Sequence, residues 1–511
     1  MSFAKVYSAQ TTLLKAHIVI IEVDLSRGLH SFSIVGLPDK AVEESRDRVS
    51  AAIKNSGFTS PKSKNQKVII SLAPADIKKE GPVFDLGMAL AYLCATGDIV
   101  FDPEEKLFLG ELSLDGKLRK ISGVLPLVLE AQKHGFKEVY LPKENAKEAA
   151  LVSGIAIFAV ETLSELLFHL NTKAQHKKEL ARQRKTTIKQ SVPTYAIDFG
   201  DIRGQESAKR GLQIAAAGGH NIAMHGPPGT GKTMLAKAFC HILPMLSFDE
   251  MLEVTSIHSI AGILDDVIIT NPPFRSPHHT SSYVSLIGGG TFPKPGEMTL
   301  AHRGVLFLDE FPEFERRVIE ALRQPLEDNV VSISRAKGSA QFPANVMLVA
   351  AMNPCPCGNY GSNKECVCPP GVLSRYMRKL SGPIIDRIDL WIEVPNISHE
   401  KLSQRKSEVG ETQKIKDSVA RARNVQKSRF RGSSAKTNSD MNVKELEKHV
   451  TFTDKVKEVL NNAAKKLDLS PRSYHRTIKL ARTIADLDEN ANVEEKHILE
   501  ALQYRPKKLV Y

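Results

Sequence analysis

The chain contains no apolar run near the ~18 residues that a membrane-spanning helix requires, so no helical membrane span is expected. Residues Met1 to Lys15 lack a basic segment followed by an apolar core and a small-residue cleavage site, and a cytoplasmic location is therefore expected. Cysteine is scarce, with six in 511 residues, which excludes a disulfide framework. Four of the six (Cys355, Cys357, Cys366 and Cys368) nevertheless crowd into 14 positions, a pattern of metal ligation. With 42% hydrophobic residues the chain is not disordered, and its length suits about three domains.

The net charge of +12 is local. Lys173 to Lys189 holds seven basic residues against Glu179, and Lys414 to Lys436 holds eight against Asp417, which leaves the remainder essentially neutral. Both stretches are poor in large apolar residues and read as linkers or exposed helices, either solvated or in contact with a polyanion. They divide the chain into an N-terminal unit (1–170), a basic linker (171–197), a central unit (198–400), a second basic linker (401–440) and a helical C-terminal unit (441–511).

What is present is most informative in the central unit. Gly226-Pro227-Pro228-Gly229-Thr230-Gly231-Lys232-Thr233 follows a short apolar strand and opens a helix. Glycines let successive backbone N–H groups turn toward the β- and γ-phosphates, Lys232 adds a positive charge, and the Thr233 hydroxyl can ligate Mg²⁺. The segment therefore binds ATP or GTP. Three apolar runs of buried-strand type (Ile222 to Met224, Val305 to Leu308 and Val346 to Ala351) imply a parallel sheet flanked by helices. In such a sheet ligands gather at the carboxyl ends of the strands. There the second run is followed by Asp309 and Glu310, and the third by Asn353. Asp309 is assigned to Mg²⁺, Glu310 to activation of the attacking water, and Asn353 to positioning that water.

With these residues the chain resembles AAA+ ATPases. Asp198-Phe199-Gly200-Asp201-Ile202-Arg203-Gly204-Gln205 resembles the segment that passes the adenine in that superfamily. Phe274-Arg275-Ser276-Pro277-His278-His279-Thr280, Gly288-Gly289-Gly290, Pro295-Gly296-Glu297, Leu300-Ala301-His302, Gly304 to Glu310, and Ser381 to Asp389 narrow the resemblance. They point to the magnesium-chelatase-like branch and, within it, to the ComM (YifB) family. The resemblance implies a ring, normally a hexamer, with active sites between subunits. Arg387 would be the arginine finger given in trans, and Arg472 the lid arginine, with Arg476 one turn on as its alternative.

The N-terminal unit resembles the proteolytic domain of Lon through Gly110 to Leu118 and Tyr140 to Asn145. A peptidase of that type needs a Ser activated by a Lys. Here Val83 stands at the serine position, and Ser122 to Leu127 holds no lysine, so a non-proteolytic docking or structural role is expected. The expected fold class is thus α/β, with a Lon-protease-like α/β domain, a central parallel sheet flanked by helices, and a helical lid.

Within a loop at 353–370, four thiolates can close a tetrahedral Zn²⁺ site beside Asn353; redox-active or unpaired thiols are the alternative, and the resemblance favours zinc. DNA, single-stranded or branched and read without sequence preference, is the expected partner, with Arg275 and Lys294 in one insert and Arg335 and Lys337 at a hairpin tip as contacts. His278 and His279 serve either DNA contact or local capping and packing. The implied function is an ATP-driven DNA motor of the branch-migration type. A metal-chelatase motor subunit and a nucleotide-dependent scaffold are the alternatives.

Overall fold

The computed structural model describes residues 2–172, 178–188, 197–290, 294–335, 338–360, 364–397 and 410–506, with the backbone alone at residues 334, 335, 338 and 339. The chain divides into two compact units. One comprises residues 1–190 with 251–269, and the other residues 191–250 with 270–511.

The first unit is built on a seven-stranded mixed sheet. Its strands are β1 (Phe3–Thr12), β2 (Lys15–Arg27), β3 (Ser31–Val35), β4 (Gln66–Ala73), β5 (Lys106–Phe108), β6 (Glu138–Pro142) and β7 (Ala156–Val160), in the order β3-β4-β2-β1-β5-β6-β7. Alternation in β1 and β2 buries Val6, Val19, Ile21 and Val23 on one face. Helices α1 (Lys40–Asn55) and α2 (Asp85–Thr96) share one hydrophobic core with that face, and helices α3 (Val124–Lys133) and α4 (Leu163–Leu170) belong to the same unit. Helix α2 is apolar nearly all round and correspondingly buried. A Cβ on its Gly87 would stand 2.6 Å from Ile21 Cδ1, so glycine permits the close approach to β2. At the Lon-like position, Val83 lies in a short turn of helix before Asp85, whose buried carboxylate is held by Arg48 at 2.8 Å. Residues 251–269 belong to this unit: Ser259 Oγ donates to Glu148 Oε1 at 2.5 Å, and Gly123 N–H donates to the Ser259 carbonyl. Further along the chain, residues around Arg182 run beside β7, where Gln183 N–H donates to the Ile157 carbonyl at 2.8 Å.

The second unit holds a five-stranded, all-parallel sheet: β8 (Ile222–His225), β9 (Phe274–Arg275), β10 (Val305–Leu308), β13 (Met347–Met352) and β14 (Leu390–Glu393), ordered β9-β10-β13-β8-β14. A separate hairpin, β11 (Val330–Arg335) and β12 (Gly338–Pro343), precedes β13. Helices α5 (Glu206–Gly218) and α6 (Lys232–Ile242) supply apolar faces to the sheet's core. Three C-terminal helices, α8 (Glu411–Arg429), α9 (Pro471–Leu487) and α10 (Glu495–Gln503), join the same core. Ser470 starts α9 by accepting from Ser473 N–H, with Pro471 at the first helical position.

Part of the stretch 401–440 read from composition as a basic linker is helix α8, packed on α5. Its polar residues answer the free carbonyls that end α5: Arg423 Nε donates to Ala216 and Gln426 Nε2 to Ala217. Arg429 reaches the buried Asp486 on α9, which also accepts from Arg482 and from Asn438 Nδ2. Basic composition here serves helix capping and buried ion pairing as well as solvation.

Candidate active site

The parallel sheet brings Lys232, Asp309, Glu310 and Asn353 to one edge, because β8, β10 and β13 are neighbours running the same way. After His225 the backbone turns through Gly229 (φ +78°) and Gly231 (φ +91°), both in the region that glycine tolerates. Gly226 has a different constraint, since a Cβ there would meet the Val394 carbonyl at 2.1 Å.

Lys232 is buried. Its Nζ donates to the Gly226 and Pro227 carbonyls at 2.7 and 2.8 Å and to Asn353 Oδ1 at 3.2 Å. Burial pushes its ammonium below the ordinary lysine value, and the charge of Asp309 opposes that shift. Thr233 Oγ1 donates to Asp309 Oδ2 at 2.9 Å, so the hydroxyl and carboxylate assigned to Mg²⁺ already meet. The Tyr376 hydroxyl donates to the Asn353 carbonyl at 3.2 Å, bracing the residue after β13.

Glu310 has a φ of +51°, a left-handed conformation uncommon outside glycine and Asn or Asp. Its Oε2 lies 3.1 Å from His279 Nδ1. This pairing follows from the sheet order. Strand β9 pairs with β10 in the register Arg275↔Leu306, so the chain leaving β9 passes the end of β10 where Glu310 stands. His279 in turn lies against the His278 ring, with centroids 4.2 Å apart. The sequence placed the His278-His279 pair near DNA or in a cap; a contact with the residue assigned to water activation was not legible there.

The cysteine cluster also forms. The four Sγ atoms lie within 4.8 Å of one another, with Cys355–Cys357, Cys357–Cys366 and Cys355–Cys366 at 3.3, 3.6 and 3.8 Å. A tetrahedron with Zn–S bonds of ~2.3 Å has edges of ~3.8 Å, so the donor set fits a zinc ion. A backbone N–H from Asn359 and the neighbouring thiols hold the Cys357 thiol down at about 6, while burial and the neighbouring sulfurs push the Cys366 and Cys368 thiols up. The loop touches the phosphate loop: a Cβ on Gly358 would stand 2.6 Å from Pro228 Cδ.

Arg387 and Arg472 are not drawn to this edge. Arg387 lies at the other end of β8, where its carbonyl accepts from Asn221 Nδ2, and Asn221 precedes the strand that the phosphate loop follows. Four strand residues, ~13 Å, intervene. Its guanidinium bonds Glu327 and the Arg323 and Pro383 carbonyls. Arg472 donates to the same Glu327, whereas Arg476 is committed to the Asp386 and Ile388 carbonyls and to Asp389. Arg275 forms a two-bond pair with Glu297, at 2.6 and 2.8 Å, and is tied down as a structural cation. Lys294 is exposed, only the backbone of Arg335 is described, and Lys337 lies outside the described residues.

Comparison with known proteins matches this architecture along nearly the whole chain. Residues 198–402 match the model "Magnesium chelatase, subunit ChlI", residues 21–145 "Subunit ChlI of Mg-chelatase" and residues 410–505 "Magnesium chelatase, subunit ChlI C-terminal". The chain is 43% identical over 514 residues to the competence protein ComM of Haemophilus influenzae, covering 99% of this chain and 98% of that protein. The chain belongs to the ComM/YifB family of AAA+ proteins. A YifB protein of Escherichia coli is 39% identical over 513 residues, again covering 99% of this chain and 97% of its own length. A DNA repair protein RadA of Streptococcus pneumoniae is 33% identical over 91 residues, 18% of this chain and 21% of that protein. Membership in the ComM/YifB family carries an AAA+ ATPase core that uses nucleotide and Mg²⁺. No helix among the described residues is long and apolar enough to cross a membrane.

Proposed function

We propose that this protein is an ATP-driven, ring-forming motor that moves along or remodels DNA, normally as a homo-hexamer. The observation that carries the reading is that the residues assigned to hydrolysis lie at opposite ends of β8. Lys232, Thr233, Asp309, Glu310 and Asn353 lie at one end, while Arg387 is bonded at the other. An arginine finger so placed serves a second copy, and repetition of that head-to-tail contact generates a ring. In this reading residues 226–233 bind the phosphates, and Thr233 and Asp309 hold Mg²⁺. Glu310 activates water, Asn353 positions it, and Arg387 with Arg472 completes the site of the neighbour.

DNA as the substrate is supported by the names of the relatives, a competence protein and a DNA repair protein, and by the β11–β12 hairpin as a backbone-tracking element. Zinc at Cys355, Cys357, Cys366 and Cys368 is structural in this proposal and stiffens the loop beside Asn353 and Pro228. The test is steady-state ATP hydrolysis without DNA and with single-stranded, duplex and four-way-junction DNA, at low and moderate salt, beside Glu310→Gln. Stimulation by single-stranded or junction DNA that weakens with salt and vanishes in Glu310→Gln supports the motor. A rate indifferent to every DNA refutes it and leaves an ATPase that serves a protein or metal-chelatase partner.

A further inference from the structure

We propose that Glu327 is a positioning residue that holds Arg387 and Arg472 together as one two-arginine unit for the phosphate site of a second copy; this rests on the two-copy site described above. Helix α7 (Arg323–Asp328) carries Glu327. One of its carboxylate oxygens accepts from Arg387 Nη2, and the other accepts from Arg472 Nη2 at 3.3 Å. The two arginines come from segments 85 positions apart, and Glu327 is the carboxylate they share.

The surroundings say what this bridge is for. The other bonds of the Arg387 guanidinium go to the carbonyls of Arg323, at 2.9 Å, and Pro383, at 2.7 Å. Its side chain is only 12% exposed, whereas Glu327 and Arg472 are 48% and 45% exposed, so the unit is rooted in the fold and open on one side. Half-exposed ion pairs of this kind add little to stability. Their consequence is geometric: two guanidiniums that would otherwise repel are kept side by side. A polyphosphate presents more charge and more acceptor oxygens than one carboxylate, so it can take over these donors when a second copy docks.

Arg476 does not compete for the role, because the carbonyls of Asp386 and Ile388 and the Asp389 carboxylate occupy it. Glu327 also stands three residues before Val330, where the hairpin begins, and Asn329 at the junction bonds Ala344 beyond the second hairpin strand. The hairpin and the arginine unit therefore share one helix.

The test mixes two chains impaired in different ways. Glu327→Ala keeps its own phosphate loop but misplaces its arginines, while Glu310→Gln binds nucleotide and offers intact arginines. Glu327→Ala alone is expected to lose at least about tenfold in kcat, less than the ~10³ of losing a finger outright, with KM for ATP changed less than about twofold. Mixed 1:1 with Glu310→Gln it should recover about a quarter of wild-type turnover per chain, since half of the Glu327→Ala copies then face an intact donor. Arg387→Ala mixed with Glu310→Gln is the control. Recovery in the control without recovery for Glu327→Ala shows that Glu327 acts within its own chain and overturns the proposal. Failure of both mixtures overturns the two-copy reading and this proposal with it. Should the alanine variant not fold, Glu327→Gln, which keeps the volume and loses the charge, is measured in the same way against the same criteria.

Discussion

Replacing Gly358 by alanine tests whether the cysteine loop braces the phosphate loop. Gly358 has a φ of +79°, where a Cβ costs about 1–2 kcal/mol. The added Cβ would stand 2.6 Å from Pro228 Cδ and 3.0 Å from Cγ. A proline ring cannot swing aside without moving its backbone, and overpacking of this kind costs about 1–3 kcal/mol. The total of about 2–5 kcal/mol must be relieved by the cysteine loop backing away or by the phosphate loop shifting at Pro228. If half of the lower figure is expressed at the nucleotide, affinity for ATP falls about fivefold.

The assay combines KM for ATP, direct binding of a fluorescent ATP analogue, and metal content per chain, which should be about one zinc in the wild type. Gly371→Ala is the control, because it lies in the helix Pro370–Met377 with no neighbouring atom within 4 Å of its Cβ position. Unchanged KM, analogue affinity and metal content in Gly358→Ala would refute the mechanical link.

The buried Asp486 carboxylate accepts from Arg429 at 2.5 and 2.7 Å, Arg482 at 2.8 and 3.1 Å, and Asn438 at 2.8 Å. Asp486→Asn leaves two buried cations short of a counter-charge, so a loss of about 3–5 kcal/mol and a melting midpoint lower by about 6–20 °C are expected; an unchanged melt would contradict this. His279→Ala removes the group that orients Glu310, and kcat should fall about tenfold with KM held within twofold; a rise in KM alone would assign His279 to binding instead. Burial holds the His497 imidazole below its ordinary value of about 6.5, and its Nδ1 accepts from Glu494 N–H at 2.9 Å. With the folded value depressed, the neutral ring stabilises the C-terminal helices above the unfolded value, and that contribution is lost as pH falls through the folded one. Melting curves between pH 7 and 5 should show this loss, and His497→Gln should flatten it; an equal slope in the variant would exclude His497 as its source.

Some of the site was legible because its information is local. In the phosphate loop, Gly229 and Gly231 permit positive φ, and the lysine and threonine follow at a spacing that a single loop and helix start dictate. Asp309, Glu310 and Asn353 were readable because an apolar run buried on both faces ends where polar residues begin, and the observed strands at Val305–Leu308 and Met347–Met352 keep that relation. The four cysteines were readable because 14 consecutive positions contain them all.

Only the tertiary structure decided the contacts between distant segments. His279 meets Glu310 because β9 is the neighbour of β10, Arg275 is taken up by Glu297, and Arg387 and Arg472 converge on Glu327. The basic run at 414–429 became a packed helix because the buried carbonyls ending α5 and the carboxylate of Asp486 required donors. The physical reason is the range of the forces. Backbone preference and periodicity act over a few neighbours and can be read along the chain. Which arginine finds which carboxylate depends on strand order and on desolvation in the folded unit, and neither is written in any one segment.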